Sequence, residues 1–441
     1  MDLHEVSRTI SDLLSTNRAI YLKIEPDVPD FTVLAPFGVR LIGSDSEVFF
    51  EVPSDKIIHL MGILDATIFD KDLCERLYVW NFKSLCSYFY FLTQKFISPT
   101  TSIVDLKLIE NFLNIRKPAP ENFLEVINRV KLAVKAKSWQ QIYKTIHLPL
   151  SLRVLPVIET YPLLNEQTKR TEFPFYEIEG QISGRMNCLS KFAKCYLPHR
   201  MGPEIKAVLK PRGYNVRFLC SDFRHCEVTV LQWLSNDPKL LDILESGADL
   251  HNQIYEIVTG DTCDSENKRR ISKKIFLPVM YGCGASGLAQ NIGVSQNVAS
   301  ELISRIKTQF STSWDWMASK QDEAKNGEVA DYFGRTRTFG DKETYLARNF
   351  SVQGVAATVC QEKLIDLFSK LNTLDDKDKL RLAFSVHDGF GLVCQVKSAH
   401  DSYKLVKEVC ETESKLCTGL KMKVEIKFGV KLDQMKVLWK N

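Results

Sequence analysis

Val216-Arg217-Phe218-Leu219-Cys220-Ser221-Asp222-Phe223, followed by Arg224-His225-Cys226-Glu227, is the stretch that decides the fold. An apolar run ends on one carboxylate, Asp222, and the spacing turns helical after Glu227, which reads as a strand feeding a helix. A carboxylate at the end of a buried strand is costly unless a cation meets it. Alone, Asp222 reads as a helix cap or turn residue. A second stretch changes that reading: Leu382-Ala383-Phe384-Ser385-Val386-His387-Asp388-Gly389-Phe390-Gly391-Leu392-Val393. Its two apolar arms around a His-Asp-Gly centre form the pattern of a β-hairpin with Asp388 at the tip. Two strand-borne aspartates held side by side can bind two divalent ions about 4 Å apart, which clamp the attacking and leaving oxygens of a phosphoryl transfer.

Between them lies Arg269-Arg270-Ile271-Ser272-Lys273-Lys274-Ile275-Phe276-Leu277-Pro278-Val279-Met280-Tyr281-Gly282. Arg269, Lys273, Leu277 and Tyr281 recur every four residues and share one helical face. That face offers two cations for a polyphosphate, then an apolar and an aromatic group for a base. Pro278 is expected to kink or interrupt the helix near its end. Alone, the segment reads as a solvated basic helix; between the two aspartates, it reads as a nucleotide grip.

The order Asp-Phe-x-x-x-Glu, then Arg-x3-Lys-x7-Tyr-Gly, then Val-His-Asp resembles that of the A-family (Pol I-like) DNA polymerases. Four further pieces fit in order: Ser183-Gly184-Arg185, Asp249-Leu250-His251, Gly334-Arg335 and Asn349-x3-Gln353-Gly354. The resemblance covers about residues 175 to 441. It implies an α+β right-hand fold with palm and fingers, an antiparallel palm sheet, and a ribonuclease-H-like α/β domain in front. It implies two Mg²⁺ ions, replaceable by Mn²⁺, at Asp222, Asp388 and the Phe223 carbonyl. Arg269, Lys273 and His251 are then triphosphate contacts, with Lys273 also the general acid for pyrophosphate. Tyr281 and Leu277 lie by the base and sugar, and Glu227 excludes a ribose 2′-OH by bulk. Arg185, Asn349, Gln353 and His387 meet the primer and template. Amide side chains suit the minor groove, where every base pair offers similarly placed acceptors.

Composition agrees without deciding. The 441 residues are 44% hydrophobic and 25% charged, with a net charge of +4, which is ordinary for a globular protein and permits a nucleic-acid partner. The 12 cysteines show no zinc-ligand spacing and read as reduced thiols. The Lys-rich segment Lys415 to Lys440 alternates like a strand with a solvated face. The start of the chain lacks secretory or transit character, and no apolar run reaches membrane-span length. These features read as a soluble, intracellular protein with no membrane partner.

Residues 1–115 show strands at Ala19–Ile24, Phe31–Ile42, Val48–Val52 and Leu77–Trp80, with helices near Asp55–Ile68, Ser84–Phe96 and Ser102–Leu113. This order resembles the exonuclease domain preceding A-family polymerases. Its metal-binding carboxylates are missing: Lys23 replaces the Asp of the first Asp-x-Glu motif, and Leu85 replaces the Asp of Asn-x3-Asp. The domain is expected to be an inactive exonuclease. Residues 116–145 read as a helical connector and 146–441 as the polymerase domain, with fingers at about 237–327. Only Glu159 to Gly180 stand where the family has a long helical thumb. Because each lost phosphate contact weakens DNA binding, low processivity is expected unless a replication protein compensates. Other departures are Leu277 for Phe or Tyr, Tyr345 for Arg, and Gly389 for Glu.

The resemblance thus implies a template-directed DNA polymerase acting on primed DNA and dNTPs. Compact, divergent members of this family are frequent in phages. The alternatives are a primase or RNA polymerase-like enzyme, which Glu227 and His387 disfavour, and a non-catalytic replication scaffold, which retention of Asp222, Asp388, Arg269 and Lys273 disfavours.

Overall fold

The structure is a computed structural model. It describes residues 3–25, 37–44, 46–53, 56–112, 119–134, 139–159, 161, 163–165, 171–172, 176–179, 181, 183–188, 209–213, 215–374, 380–386 and 388–437.

Helix α1 (Leu3–Thr16), which the sequence reading did not foresee, precedes β1 (Ala19–Glu25), β2 (Phe37–Ile42), β3 (Glu47–Val52), α2 (Ile57–Asp65), β4 (Arg76–Val79), α3 (Phe82–Thr93), β5 (Ser102–Asp105) and α4 (Leu106–Phe112). The strands form one sheet in the order β3-β2-β1-β4-β5. The first three pair antiparallel, and β1, β4 and β5 pair parallel, giving the ribonuclease-H-like arrangement. One expectation needs correction: the helix placed at Ser102–Leu113 begins as a strand. Ile103 and Val104 continue a parallel pairing with Leu77 and Tyr78, and β-branched residues suit that pleated surface better than a first helical turn. The start of the strand expected at Phe31 lies outside the described residues.

Asp105 closes this sheet structurally. Its buried carboxylate accepts the backbone N–H of Asn81 at 3.1 Å and of Phe82 at 2.8 Å, satisfying donors at the start of α3. Burial pushes its carboxyl up to about 6. Leu85 packs in the core beneath the sheet, and Lys23 bonds Glu121. Lys83 on α3 donates to Glu159 at 2.7 Å, a buried ion pair that ties α3 to the helical segment ending at Glu159.

Helix α5 (Phe123–Val134) is followed by α6 (Trp139–Ile142), which continues through π-helical turns at Tyr143–His147 and Leu150–Val154 into α7 (Leu155–Glu159). Short strands β6 (Leu163–Asn165), β7 (Thr171–Glu172), β8 (Tyr176–Glu177), β9 (Asn187–Cys188) and β10 (Leu209–Pro211) lead to β11 (Val216–Phe223). Helices then follow one another: α8 (Cys226–Ser235), α9 (Pro238–Glu245), α10 (Leu250–Thr259), α11 (Glu266–Met280), α12 (Ala285–Ile292), α13 (Gln296–Gln309) and α14 (Ser311–Lys325). Their starts are written locally: Asp237 accepts Leu240 N–H, Asp249 accepts His251 and Asn252 N–H, and Ser265 and Ser295 cap α11 and α13. Oxygen-bearing caps of this kind satisfy otherwise orphaned donors. Pro278 sits in the last turn of α11 without ending it.

The hairpin β12 (Glu328–Ala330) and β13 (Thr336–Thr338) leads into α15 (Leu346–Asn372), then β14 (Leu380–Val386), β15 (Gly389–Gln395), α16 (Ala399–Glu411), β16 (Val424–Gly429) and β17 (Lys436–Val437). The palm sheet has the order β14-β15-β11-β16-β17 and every pairing is antiparallel. One hydrophobic core runs from Leu108 and Phe112 through α15 to Ile426. The overall class is α+β, as the sequence implied. No described helix is long and apolar enough to cross a membrane.

Candidate active site

The palm sheet brings the two aspartates together by register. Asp222 stands opposite Gly389 on one side and opposite Glu425 on the other. Val386 pairs with Gly389, so Asp388 stands at the tip of the hairpin, as its two apolar arms imply; His387 lies outside the described residues. The backbone N–H of Phe223 donates to the Asp388 carbonyl at 2.8 Å. Gly389 is required here, because a Cβ would stand 2.2 Å from the Ser221 carbonyl oxygen. The close approach of β15 to β11 therefore excludes the Glu that the family resemblance places at this position.

Asp388 is half-buried, and that burial, with Glu227 and Asp222 adding to it against Arg185, pushes its carboxyl up to about 6. Asp222 is raised by burial too, relieved by Lys427 and reinforced by Glu425. Lys427 and Glu425 share an ion pair of 2.6 Å. The sequence reading left this pair as a solvated face; the strand alternation was the available signal, and the register puts it beside Asp222.

Glu227 begins α8 and is held by three donors. Arg185 Nη2 donates to its Oε1 at 2.6 Å, Gln353 Nε2 to the same oxygen at 3.1 Å, and Tyr281 Oη bonds its Oε2. Arg185 Nη2 also reaches Asp388 Oδ1 at 3.4 Å. Five residues singled out in the sequence thus form one network. Its donors leave the Glu227 carboxylate little rotational freedom. Tyr281 is closed on Glu227 by its hydroxyl, and Arg185 lies between two carboxylates. Burial and Glu227 hold the Tyr281 hydroxyl well above its ordinary value.

A second cluster lies on α10 and α11. Arg269 donates from Nε at 3.1 Å and Nη2 at 2.9 Å to Asp249 Oδ2, the same residue that caps α10. Lys273 is exposed and Leu277 half-buried, with Leu277 packed on the core. The His251 ring packs edge-on against His225 at 5.2 Å, and its buried Nδ1 has no hydrogen-bond partner. Burial, His225 and Lys273 lower His251 to about 4. Two neutral imidazoles beside a Lys and an Arg suit a polyphosphate, whose charge favours donors gathered at this spot. The sequence reading missed His225, which reaches His251 only because it adopts φ 52 at the turn into α8.

Asn349 lies one turn before Gln353 on α15, with its Oδ1 buried and unpaired. Tyr345 packs over Gly282. Arg348, not singled out in the sequence, reaches the Met280 carbonyl and Gln321 and tethers α15 to the end of α11.

The sequence profile described as DNA polymerase family A matches residues 158–434. DNA polymerase I of Chloroflexus aurantiacus is 26% identical over 292 residues, covering 63% of this chain and 30% of that protein. DNA polymerase I of Geobacillus stearothermophilus is 27% identical over 236 residues, covering 50% of this chain and 26% of that protein. The chain therefore spans less than a third of the length of these relatives. The solved POL domain of Pol1 from M. smegmatis, in complex with DNA primer-template and dNTP, aligns over 98% of this chain and 99% of that one. Its TM-score is 0.72 at 14% identity, a likeness of fold.

Proposed function

Because the chain belongs to DNA polymerase family A, we propose that it adds deoxynucleotides to a primer 3′ end under the direction of a DNA template. The observation that carries this reading is the register of β11 with the β14–β15 hairpin, which sets Asp222 beside the tip that bears Asp388. Both carboxyls are raised by burial, so a cation beside them would favour their ionised forms. That donor set fits hard divalent ions: Asp222, Asp388 and the Phe223 carbonyl would hold two, Mg²⁺ or Mn²⁺. When bound, such ions polarise the transferring phosphoryl group and favour attack by the primer hydroxyl.

The chain's own residues do the rest. Arg269 can exchange Asp249 for a phosphate, and Lys273 and His251 stand ready for the same group. Lys273 is the proton donor for the leaving pyrophosphate. Cationic groups aimed at the transferring phosphate supply much of the stabilisation in such reactions. Glu227, held by three donors, forms a rigid wall for the sugar. Arg185, Asn349, Gln353 and His387 are the contacts for the primer terminus and the minor groove on this reading.

The test is primer extension on a primed template with Mg²⁺, comparing dNTPs with rNTPs. Extension with dNTPs supports the reading; extension with rNTPs alone would move the protein to transcriptase or primase chemistry. In the same assay Glu227→Ala is expected to raise rNTP use about 10- to 200-fold, the range for discrimination by pocket size. Unchanged sugar preference would remove Glu227 from that role.

We place the exonuclease-like part at residues 1–115, the connector at 116–145 and the polymerase part at 146–441. The first carries no proofreading activity on this reading, because Lys23 and Leu85 stand where metal-binding carboxylates are needed and Asp105 is consumed as a cap. Incubation with single-stranded DNA and Mg²⁺ or Mn²⁺ should release no nucleotides; metal-dependent degradation would refute it. The described residues between Glu159 and Arg185 form only short strands. A short segment there supports weak, salt-sensitive DNA binding, compensated by a replication partner.

A further inference from the structure

We propose that Cys226, Cys360 and Asp388 form a binding site for one thiophilic divalent ion of the Zn²⁺ class. The Sγ atoms of Cys226 and Cys360 and a carboxylate oxygen of Asp388 all lie within 4.8 Å of one another. They come from three elements: the start of α8, the middle of α15 and the hairpin tip. Both cysteines are 3% exposed, so the site is built into the packing. Zinc takes such ligands tetrahedrally, with Zn–S near 2.3 Å and Zn–O near 2.0–2.2 Å.

The donor set distinguishes this site from that of phosphoryl transfer. Two thiolates with one carboxylate select a borderline-soft ion, whereas Mg²⁺ demands an octahedron of oxygens. The Met422 thioether, 3.5 Å from Cys226 Sγ, keeps the surroundings soft. Cys360 also lines a cleft together with Arg185, Met186, Ser385 and Phe390. On binding, two S–H bonds break and their protons pass to solvent; two metal–sulfur bonds form, and no oxidation state changes. Asp388 then serves the soft ion and is withdrawn from the cations of polymerisation. That inhibitory consequence rests on the proposed function; the site itself does not.

The test is titration of the full reduced chain with Co²⁺ in Mg²⁺ buffer, followed by the thiolate-to-cobalt charge-transfer absorption. The wild type is expected to develop a saturable band at one equivalent that Zn²⁺ abolishes. Cys226→Ser and Cys360→Ser are each expected to weaken binding about 100-fold, at the upper end of the range for perturbing a metal's surroundings. In primer extension with excess Mg²⁺, Zn²⁺ should inhibit the wild type, while Cys360→Ser keeps its Mg²⁺-supported rate and resists Zn²⁺. No band in the wild type, or one undiminished in both variants, overturns the site. A band in a chain that extends no primer leaves the site standing and overturns only the functional reading.

Discussion

Asp388→Asn is expected to slow primer extension by about 10³-fold or more while leaving the fold intact. Bound ions contribute several kcal/mol of charge stabilisation, and about 1.4 kcal/mol is a tenfold change in rate. Asn nearly preserves the shape of Asp388 but removes the negative charge that an ion requires. Burial has pushed the Asp388 carboxyl up to about 6, so the ionised form that would hold a metal on the proposed reading is lost as pH falls through that value. Activity should therefore fall below pH about 6, and higher Mg²⁺ should move that limb to lower pH, because ligand deprotonation and metal binding are linked. Single-turnover extension at several pH and Mg²⁺ values measures both effects. An Asn variant retaining a tenth or more of the wild-type rate would remove Asp388 from the chemistry.

Arg335→Met is expected to cost about 3–5 kcal/mol of folding stability, the range for breaking a buried ion pair by removing one partner. Arg335, Glu179 and Asp331 are all fully buried. Arg335 donates at 2.7 Å to Glu179, at 2.9 Å to Asp331 and at 2.9 Å to Thr358, with its guanidinium 5.2 Å from the centre of the Phe112 ring. His147 Nε2 lies 2.9 Å from Glu179. Met fills similar space but leaves Asp331 without its cation and Glu179 with His147 alone. Against burial, which would raise it, Arg335 and His147 hold Glu179 far below its ordinary 4.5. A depressed carboxyl contributes stability above its unfolded value and loses it as pH falls through the folded value. Wild-type stability should therefore decline below pH about 4.5. In the variant the same carboxyl is raised, so acid relieves its strain and the gap between the two proteins narrows. Urea denaturation at pH 7 and pH 4 measures this; a gap that widens in acid would contradict it.

Several features were legible because their signals are local. The helix starts at Asp237, Asp249, Ser265 and Ser295 lie within a few residues of the donors they satisfy. The hairpin at Asp388 shows in two apolar arms about a His-Asp-Gly centre, and the Arg269–Tyr281 face in a four-residue period. The first-turn misreading at Ser102 has the opposite cause. β5 is a four-residue edge strand running directly into α4, too short for a period of two to be told from a first helical turn. The expected domain order came from the resemblance rather than from composition.

By itself, the sequence determined the α+β class, the order of the motifs and the chemical kind of each proposed site residue. The tertiary structure alone decided which side chains meet. Glu227 is gripped by Arg185, Tyr281 and Gln353; Asp222 faces Glu425 across the sheet; Cys226 and Cys360 converge on Asp388. The reason is physical. Caps and turns are set by hydrogen bonds within a few residues, whereas these meetings depend on strand register and helix packing. A shift of one residue in register would turn Asp222 to the other face of the sheet.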